Sequence, residues 1–280
     1  MVLPLSLERV TRWSALDRFA WGSLHSHGVL DGAEGEALRA APHGIDLERV
    51  GLWPTAEFES GGEASHPDVE ILERACERAI ARHRGRGERV GLFLDRDGTL
   101  VREVGYLSDP GDLELLPGVD VALRRAADAG LALVVISNQA GVGRGLFPLE
   151  RVYEAMARLR ELLRERGVEL DAIHFCPHRP GEGCVCRKPA PGLLERAAQD
   201  LQLRLSASVM VGDKRLDPAT GHAAGARGVL VRTGYGREEE QVLGSDGFES
   251  PDRVFDDLPA AITWWLDEGR ALGPRSAERR

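Results

Sequence analysis

The sequence has no apolar run that could cross a membrane, since none reaches the roughly 18–20 residues that a bilayer-spanning helix needs. It also lacks the pattern of a secretory signal, because Glu8 and Arg9 interrupt the first apolar segment early and no small-residue cleavage site follows. These two absences predict a cytoplasmic protein that has no membrane partner.

Basic side chains are too few to balance the acidic ones. The chain has 36 Lys and Arg against 45 Asp and Glu, which gives a net charge of -9. General binding of DNA or RNA depends on neutralising phosphates with basic side chains, so we expect no nucleic-acid partner. A local basic pocket for a small anion remains compatible with this charge, and 280 residues suffice for one substantial core with an appendage.

Cysteine is scarce, and three of the four cysteines crowd into one short segment beside a histidine. The side chains in that segment, called the Cys3His cluster below, are Cys176, His178, Cys184 and Cys186. Three thiolates and one imidazole suit a closed tetrahedral zinc site with no position left for water, so the pattern predicts structural Zn²⁺ rather than disulfides. The alternative is that the cysteines are small buried hydrophobes, as we expect for the isolated Cys76.

Apolar runs alternate with helical patterns from residue 89 onward. This rhythm predicts an α/β fold with a doubly wound parallel sheet. The expected strands are 89–95, 131–137, 171–176, 207–213 and 228–234, and the expected helices are 118–129, 148–166, 191–201, 217–224 and 256–269. We predict an N-terminal extension over 1–87 that is partly helical (68–84), a catalytic domain over 88–240, and a C-terminal helix and tail over 241–280.

Polar clusters follow three of the predicted strands: DRDGT at 95–99, SNQ at 137–139 and GDKRLD at 212–217. Because ligands of open parallel sheets bind outside the carboxyl ends of the strands, we expect these clusters to converge on one site. A single DxDGT string could be a surface turn, since Asp and Gly favour turns. Several clusters in this order make that alternative improbable.

Two carboxylates, Asp95 and Asp97, stand one residue apart after a buried strand and can face one cavity. One can attack phosphorus while the other protonates the leaving oxygen. Two anions approach a phosphate only with a cation, so this chemistry requires Mg²⁺ held by carboxylates, and Asp213 and Asp217 supply further acidity. The positive charge for a transferring phosphoryl group comes from Lys188.

Other side chains of the clusters can contact a phosphate. Ser137 can donate a hydrogen bond, and Thr99 offers a hydroxyl and a backbone N–H. Asn138 is a further candidate for binding substrate.

The order DRDGT, SNQ, RKP, GDKRLD resembles the four motifs of the haloacid dehalogenase superfamily. The resemblance implies that Asp95 is the nucleophile that forms an aspartyl-phosphate and that Asp97 is the general acid and base. It also implies that Ser137 and Lys188 bind the phosphoryl group. Mg²⁺ would be held by Asp95, the backbone carbonyl of Asp97 and Asp213, with Asp217 supporting them.

The segments GYLSDP, SNQAGVGRG, CPH…CVCRKPAPG and MVGDK look more closely like the family of heptose-1,7-bisphosphate 7-phosphatases and histidinol-phosphate phosphatases, over roughly residues 88–240. This resemblance implies removal of the 7-phosphate of D-glycero-D-manno-heptose 1,7-bisphosphate, with histidinol phosphate as the alternative substrate. We expect the enzyme to be a monomer. Arg144 and Arg187 are candidates for gripping the second phosphate or the hydroxyls. From another class of protein, a non-catalytic zinc-stabilised binding module is the competing hypothesis.

Overall fold

The computed structural model describes residues 89–105, 110–244 and 247–272. The predictions for the N-terminal extension, its helix at 68–84 and Cys76 lie outside these residues, as does the C-terminal tail from 273. Within the described part of the chain, no helix is long and apolar enough to span a membrane.

Six parallel strands form one sheet in the order β3-β2-β1-β4-β5-β6. The strands are β1 (Gly91–Leu94), β2 (Ala132–Asn138), β3 (Ala172–Cys176), β4 (Val209–Gly212), β5 (Arg227–Val231) and β6 (Arg253–Phe255). The prediction of a doubly wound parallel sheet is confirmed. The first three strands add in one direction and the last three in the other, so the chain reverses its order between β1 and β4, where ligands bind in such sheets.

The strands are short apolar runs because helices cover the sheet and leave little of it to solvent. All residues of β1, β3 and β4 are buried. Buried parallel strands read as continuous hydrophobic runs, and this is why five of the six were predictable from sequence. The sixth, β6, has only three residues and pairs on one side with β5, so no such run marks it.

Seven α-helices are present in the described residues, and they are numbered here in chain order. They are α1 (Val119–Asp128), α2 (Ala140–Gly143), α3 (Leu149–Arg164), α4 (Gly192–Leu201), α5 (Leu216–Ala223), α6 (Gly236–Gln241) and α7 (Leu258–Asp267). The five predicted helices are confirmed within two residues at either end. The short α2 and α6 were not predicted, because four and six residues are too few to show a helical period.

Glycines follow the ends of α1 and α3. Gly130 and Gly167 have φ of 82° and 75°, a left-handed conformation that glycine adopts without the steric cost of a Cβ. The closing helix α7 buries Ile262 and Trp265, while Leu266 is only half-buried.

Candidate active site

Three carboxylates meet where the sheet reverses its order. Asp95 follows β1, Asp213 follows β4, and Asp217 lies in the first turn of α5. Each offers an oxygen within 4.8 Å of the other two, and all three side chains are buried. We call these three residues the acidic cluster. The hydrogen bond from the Asp95 N–H to the Val211 carbonyl (2.9 Å) extends the pairing of β1 with β4 and fixes where the first carboxylate begins.

A buried lysine stands between two members of the acidic cluster. The Lys188 Nζ lies 2.8 Å from Oδ1 of Asp95 and 2.5 Å from Oδ1 of Asp217, and it donates to the Ile136 carbonyl at 3.0 Å. Burial alone would lower the pKa of Lys188, but the two carboxylates outweigh it and raise that pKa above its usual value. The ammonium therefore stays charged beside the predicted nucleophile.

Burial also shifts the acids of the cluster. Desolvation raises the pKa of Asp95 to about 6, against the opposing effect of Lys188. Desolvation, followed by the charges of Asp95 and Asp217, raises the pKa of Asp213 to about 8. Carboxylates that are buried together resist ionisation unless a cation joins them, so this site favours a bound cation.

The hydrogen bonds of the cluster suit a metal ion. Both oxygens of Asp217 have donors, since Oδ2 accepts from the Lys214 N–H at 2.9 Å. Asp213 accepts from the Tyr235 N–H at 2.9 Å through Oδ2, whereas its buried Oδ1 has no partner among the described residues. An unpaired buried carboxylate oxygen is the ligand that Mg²⁺ prefers, so the donor set fits that ion at Asp213, with Asp217 held by the protein around it.

Glycines let the backbone close around these acids. A Cβ on Gly98 or Gly234 would lie 2.2 or 2.1 Å from Oδ2 of Asp213, and a Cβ on Gly212 would lie 2.1 Å from Cγ of Asp217. No side chain fits at these positions without moving a carboxylate. Both the packing against Asp213 and the positive φ therefore require glycine at Gly98, the glycine of DRDGT.

The second predicted acid, Asp97, does not join the acidic cluster through its side chain. Its carboxylate accepts two hydrogen bonds from the Arg96 guanidinium, from Nε to Oδ1 at 2.9 Å and from Nη2 to Oδ2 at 2.8 Å. We call this bidentate pair of hydrogen bonds the fork. Gln139 Nε2 donates to the same Oδ2 at 3.1 Å. The Asp97 carboxylate is thus engaged by Arg96 and Gln139 rather than by the acidic cluster, and a contact of its backbone carbonyl with a cation stays a prediction.

The polar residues after β2 divide into two roles. The Ser137 Oγ accepts from Gln139 Nε2 at 2.8 Å, which leaves its hydroxyl proton to donate to a ligand. Asn138 instead hydrogen-bonds the backbone of Lys188, accepting from its N–H at 3.1 Å and donating to its carbonyl at 3.3 Å. Asn138 therefore anchors the lysine loop, and its contact with substrate stays a prediction.

The remaining predicted binding residues differ in exposure. Thr99 is fully buried, and its Oγ1 has no partner among the described residues. Arg144 is exposed just after α2, while Arg187 is half-buried and donates through Nη1 to the His178 carbonyl at 3.0 Å. The two arginines thus follow different strands, β2 and β3, and the second is tied to the Cys3His cluster.

The Cys3His cluster assembles without any disulfide. Its nearest distances are 3.3 Å and 3.7 Å from the Cys176 Sγ to those of Cys186 and Cys184, and 3.2 Å from the His178 Nδ1 to the Cys186 Sγ. A tetrahedron with zinc–sulfur bonds of about 2.3 Å has sulfur–sulfur edges of roughly 3.8 Å, close to these values. The hydrogen bond from Cys186 lowers the pKa of Cys176 to about 6, so a thiolate forms readily there.

Sequence reasoning missed several residues of the site. Arg96 and Gln139 contact Asp97, and Lys214 lies beside the acidic cluster with its Nζ 3.3 Å from Oε2 of Glu103 and 4.6 Å from the centre of the Tyr235 ring. Arg96 stands inside DRDGT, where a charged residue after a buried strand already signals a buried partner. No sequence pattern pairs Glu103 with Lys214.

Comparisons with known proteins agree with this site. Residues 185–261 match a family model described as HAD-hydrolase-like. The chain is 45% identical over 189 residues to the D-glycero-D-manno-heptose-1,7-bisphosphate 7-phosphatase of Thermosynechococcus vestitus, which covers 63% of this chain and 95% of the relative. It is 39% identical to the D-glycero-beta-D-manno-heptose-1,7-bisphosphate 7-phosphatase of Yersinia pestis, over 61% of this chain and 94% of the relative.

A solved structure agrees as well. The D,D-heptose 1,7-bisphosphate phosphatase from B. bronchiseptica, crystallised with magnesium and phosphate, superposes with a TM-score of 0.59 and 33% identity. The match covers 64% of this chain and 99% of that one.

Proposed function

The chain belongs to the D-glycero-D-manno-heptose-1,7-bisphosphate 7-phosphatase family of haloacid dehalogenase-like hydrolases, and we propose that it removes the 7-phosphate of that sugar bisphosphate with the help of Mg²⁺. The observation that carries the proposal is the buried contact of Lys188 with Asp95, 2.8 Å long, within the acidic cluster. A carboxylate next to a fixed ammonium can meet a phosphate, because the ammonium offsets the negative charge that the phosphate brings.

Asp95 acts as the nucleophile in this proposal. Its oxygen bonds to phosphorus as the bond to the sugar oxygen breaks, which gives an aspartyl-phosphate that water then hydrolyses. With a pKa of about 6, Asp95 is mostly ionised at neutral pH, as a nucleophile must be. Ser137 donates its hydroxyl to a phosphoryl oxygen, and Lys188 contacts the same group.

Asp97 acts as the general acid and base. It protonates the leaving sugar oxygen in the first half of the reaction and takes a proton from the attacking water in the second. Its side chain is 16% exposed, in contrast to the buried acidic cluster, so it can reach a substrate that enters from solvent.

The metal part of the proposal uses the acidic cluster. Asp95, Asp213 and the backbone carbonyl of Asp97 hold Mg²⁺, which when bound neutralises the negative charge that gathers around the phosphate. The Oδ1 of Asp213 supports this assignment, because it has no hydrogen-bond partner within the described ranges. Asp217 accepts hydrogen bonds from Lys188 Nζ and from the Lys214 N–H, so it positions the lysine beside the proposed metal ligands without binding the ion itself.

The Cys3His cluster has a structural part in the proposal. Zinc held there fixes the segment that leads into Arg187 and Lys188, and the bond from Arg187 to the His178 carbonyl ties the arginine to that segment. We propose that Arg187 contacts the second phosphate or the sugar hydroxyls, with Arg144 as a second contact.

The proposal is tested by measuring phosphate release from heptose 1,7-bisphosphate and from histidinol phosphate. We expect kcat/KM to be much larger for the heptose substrate, and rapid turnover of histidinol phosphate alone would reject this substrate assignment. Asp95→Asn should abolish release while zinc content stays unchanged, and Asp128→Asn, at an exposed position of α1, is the matched control. Unaltered phosphate release by Asp95→Asn would remove Asp95 as the nucleophile, whereas no release from either substrate by the wild-type protein, with zinc bound, would favour the non-catalytic binding module.

A further inference from the structure

Arg96 is the largest fully buried side chain of the described residues, although it carries a charge. It is 1% exposed. Burying a guanidinium is unfavourable unless it is paired and hydrogen-bonded. Its one acidic partner among the described residues is Asp97, and its Nη1 lies 4.0 Å from the Met156 sulfur of α3. The charge of this arginine is therefore directed almost wholly at the proposed general acid and base.

The fork from Arg96 fixes the Asp97 carboxylate in a plane. Two parallel bonds, of 2.9 and 2.8 Å, hold both oxygens at once, and such bidentate pairs restrict geometry more than a single contact does. A lysine carries the same charge but presents no planar fork, so it cannot reproduce this arrangement.

Gln139 completes the arrangement and distinguishes the two oxygens. Its Nε2 donates to Oδ2 of Asp97 and to the Ser137 Oγ, and its Oε1 accepts from Arg96 Nη2 at 3.3 Å. From the part of the chain that the structure describes, Oδ2 therefore accepts two hydrogen bonds and Oδ1 only one. A carboxylate oxygen with fewer donors keeps more lone-pair capacity for a proton.

We propose that Arg96 and Gln139 are positioning residues that make Oδ1 of Asp97 the oxygen that exchanges the proton. This inference rests on the proposed phosphatase function. As an oxygen of Asp95 bonds to phosphorus and the bond to the sugar oxygen breaks, the proton on Oδ1 moves to that leaving oxygen. In the second half, water bonds to phosphorus, the bond from Asp95 to phosphorus breaks, and the water proton returns to Oδ1.

The test compares two substrates that differ in their need for a proton. A sugar alkoxide leaves only when it is protonated, whereas p-nitrophenolate leaves without a proton. A general acid contributes about 10²–10⁴-fold. We therefore expect Arg96→Met to lower kcat/KM on the order of 10²-fold for heptose bisphosphate and less than about tenfold for p-nitrophenyl phosphate. Gln139→Leu should shift the same ratio by a smaller factor.

Two further variants separate positioning from packing. Arg96→Lys keeps the charge without the fork, so its substrate ratio should lie between those of the wild type and Arg96→Met. Arg160→Met is the matched control, because Arg160, which lies on α3, is also a buried arginine. It donates to the Leu170 carbonyl at 2.8 Å and has no hydrogen bond to Asp97. It should lower stability while leaving the substrate ratio unchanged.

Equal losses on both substrates in Arg96→Met and Gln139→Leu would overturn the proposal, because a packing defect does not distinguish leaving groups. Unchanged rates in both variants would overturn it too. If Arg96→Met fails to fold, as judged by thermal unfolding, Arg96→Lys and Gln139→Leu decide. A wild-type enzyme that hydrolyses p-nitrophenyl phosphate but not heptose bisphosphate refutes only the substrate assignment, and a sugar monophosphate that it does hydrolyse then provides the ratio.

Discussion

Binding of Mg²⁺ to the acidic cluster should release about one proton per ion at pH 7. In the metal-free protein, burial raises the pKa of Asp95 to about 6 and, with help from neighbouring carboxylates, that of Asp213 to about 8. At pH 7 Asp213 is then roughly 90% protonated and Asp95 roughly 10% protonated. Because a metal takes carboxylates in their ionised form, these protons leave as the ion binds.

The pH dependence follows from the same two pKa values. The apparent affinity for Mg²⁺ should rise about tenfold per pH unit around pH 7 and level off above pH 8, where the release falls to about 0.1 proton at pH 9. The stability of the metal-free protein should move in the opposite direction. Both folded-state pKa values lie above the ordinary 3.8, so the folded chain holds more protons than the unfolded chain from about pH 4 to 8. Its free energy of unfolding therefore falls as pH rises through that range.

Calorimetric titration of Mg²⁺ in two buffers with different ionisation enthalpies counts the released protons. Thermal unfolding gives a second measurement, since the difference in Tm between the magnesium-loaded and metal-free protein should grow from pH 6 to 8. Asp128→Asn, which removes an exposed carboxylate outside the cluster, should change neither result. Proton release near zero at pH 7, with equal affinity at pH 6.5 and 8, would refute the reasoning, because the buried acids would then already be ionised.

Three other perturbations test separate parts of the site. Gly98→Ala puts a Cβ 2.2 Å from a carboxylate of the acidic cluster and should weaken Mg²⁺ binding by roughly 10–100-fold in calorimetry. Gly105→Ala is the control, because its φ is also positive but no atom of the described residues lies within 4 Å of the added Cβ. It should cost about 1–2 kcal/mol of unfolding free energy and leave Mg²⁺ affinity unchanged. Lys188→Met leaves two buried carboxylates without their ammonium and should cost about 3–5 kcal/mol in urea unfolding, against about 1 kcal/mol or less for the more exposed Lys214→Met. Cys184→Ser should reduce zinc content measured by atomic absorption and leave Mg²⁺ affinity within about twofold, since the two clusters share no ligand.

Each of these expectations has a result that contradicts it. Equal Mg²⁺ affinities in the two glycine variants would mean that the loop relaxes away from the carboxylate. Equal unfolding free energies in the two lysine variants would show that the buried ammonium contributes no more than the partly buried pair of Lys214 with Glu103. Unchanged zinc content in Cys184→Ser would remove that thiolate from the proposed ligands.

The fold was largely predictable because its strands are buried on both faces and therefore read as uninterrupted apolar runs. The runs at 89–95 and 131–137 predict β1 and β2 for this reason. β6 is different, since Arg253 is exposed and Val254 and Phe255 are half-buried. What makes these residues a strand is the free edge of β5, where Val229 pairs with Arg253. That edge is formed by the rest of the sheet, so no local sequence pattern predicts β6.

The acids of the site were predictable for a topological reason, while their partners were not. Asp95 and Asp213 each follow a strand, and parallel strands bring their carboxyl ends to one edge. The position of Arg96, one residue after Asp95, could not be predicted from the strand pattern. Strand alternation turns residues 95 and 97 to one side and Arg96 to the other.

β1, however, ends at Leu94, and the chain then wraps around the Arg96 carbonyl, which accepts from the N–H groups of Leu100 and Val101 at 2.9 and 3.1 Å. This turn brings the Arg96 guanidinium back onto its own neighbour, Asp97. Strand alternation, applied past the end of the strand, places the Arg96 and Asp97 side chains on opposite sides and so does not predict their contact. A buried arginine nevertheless requires an acidic or hydrogen-bonding partner. The partner was the adjacent residue because the turn, not the strand, sets the direction of both side chains.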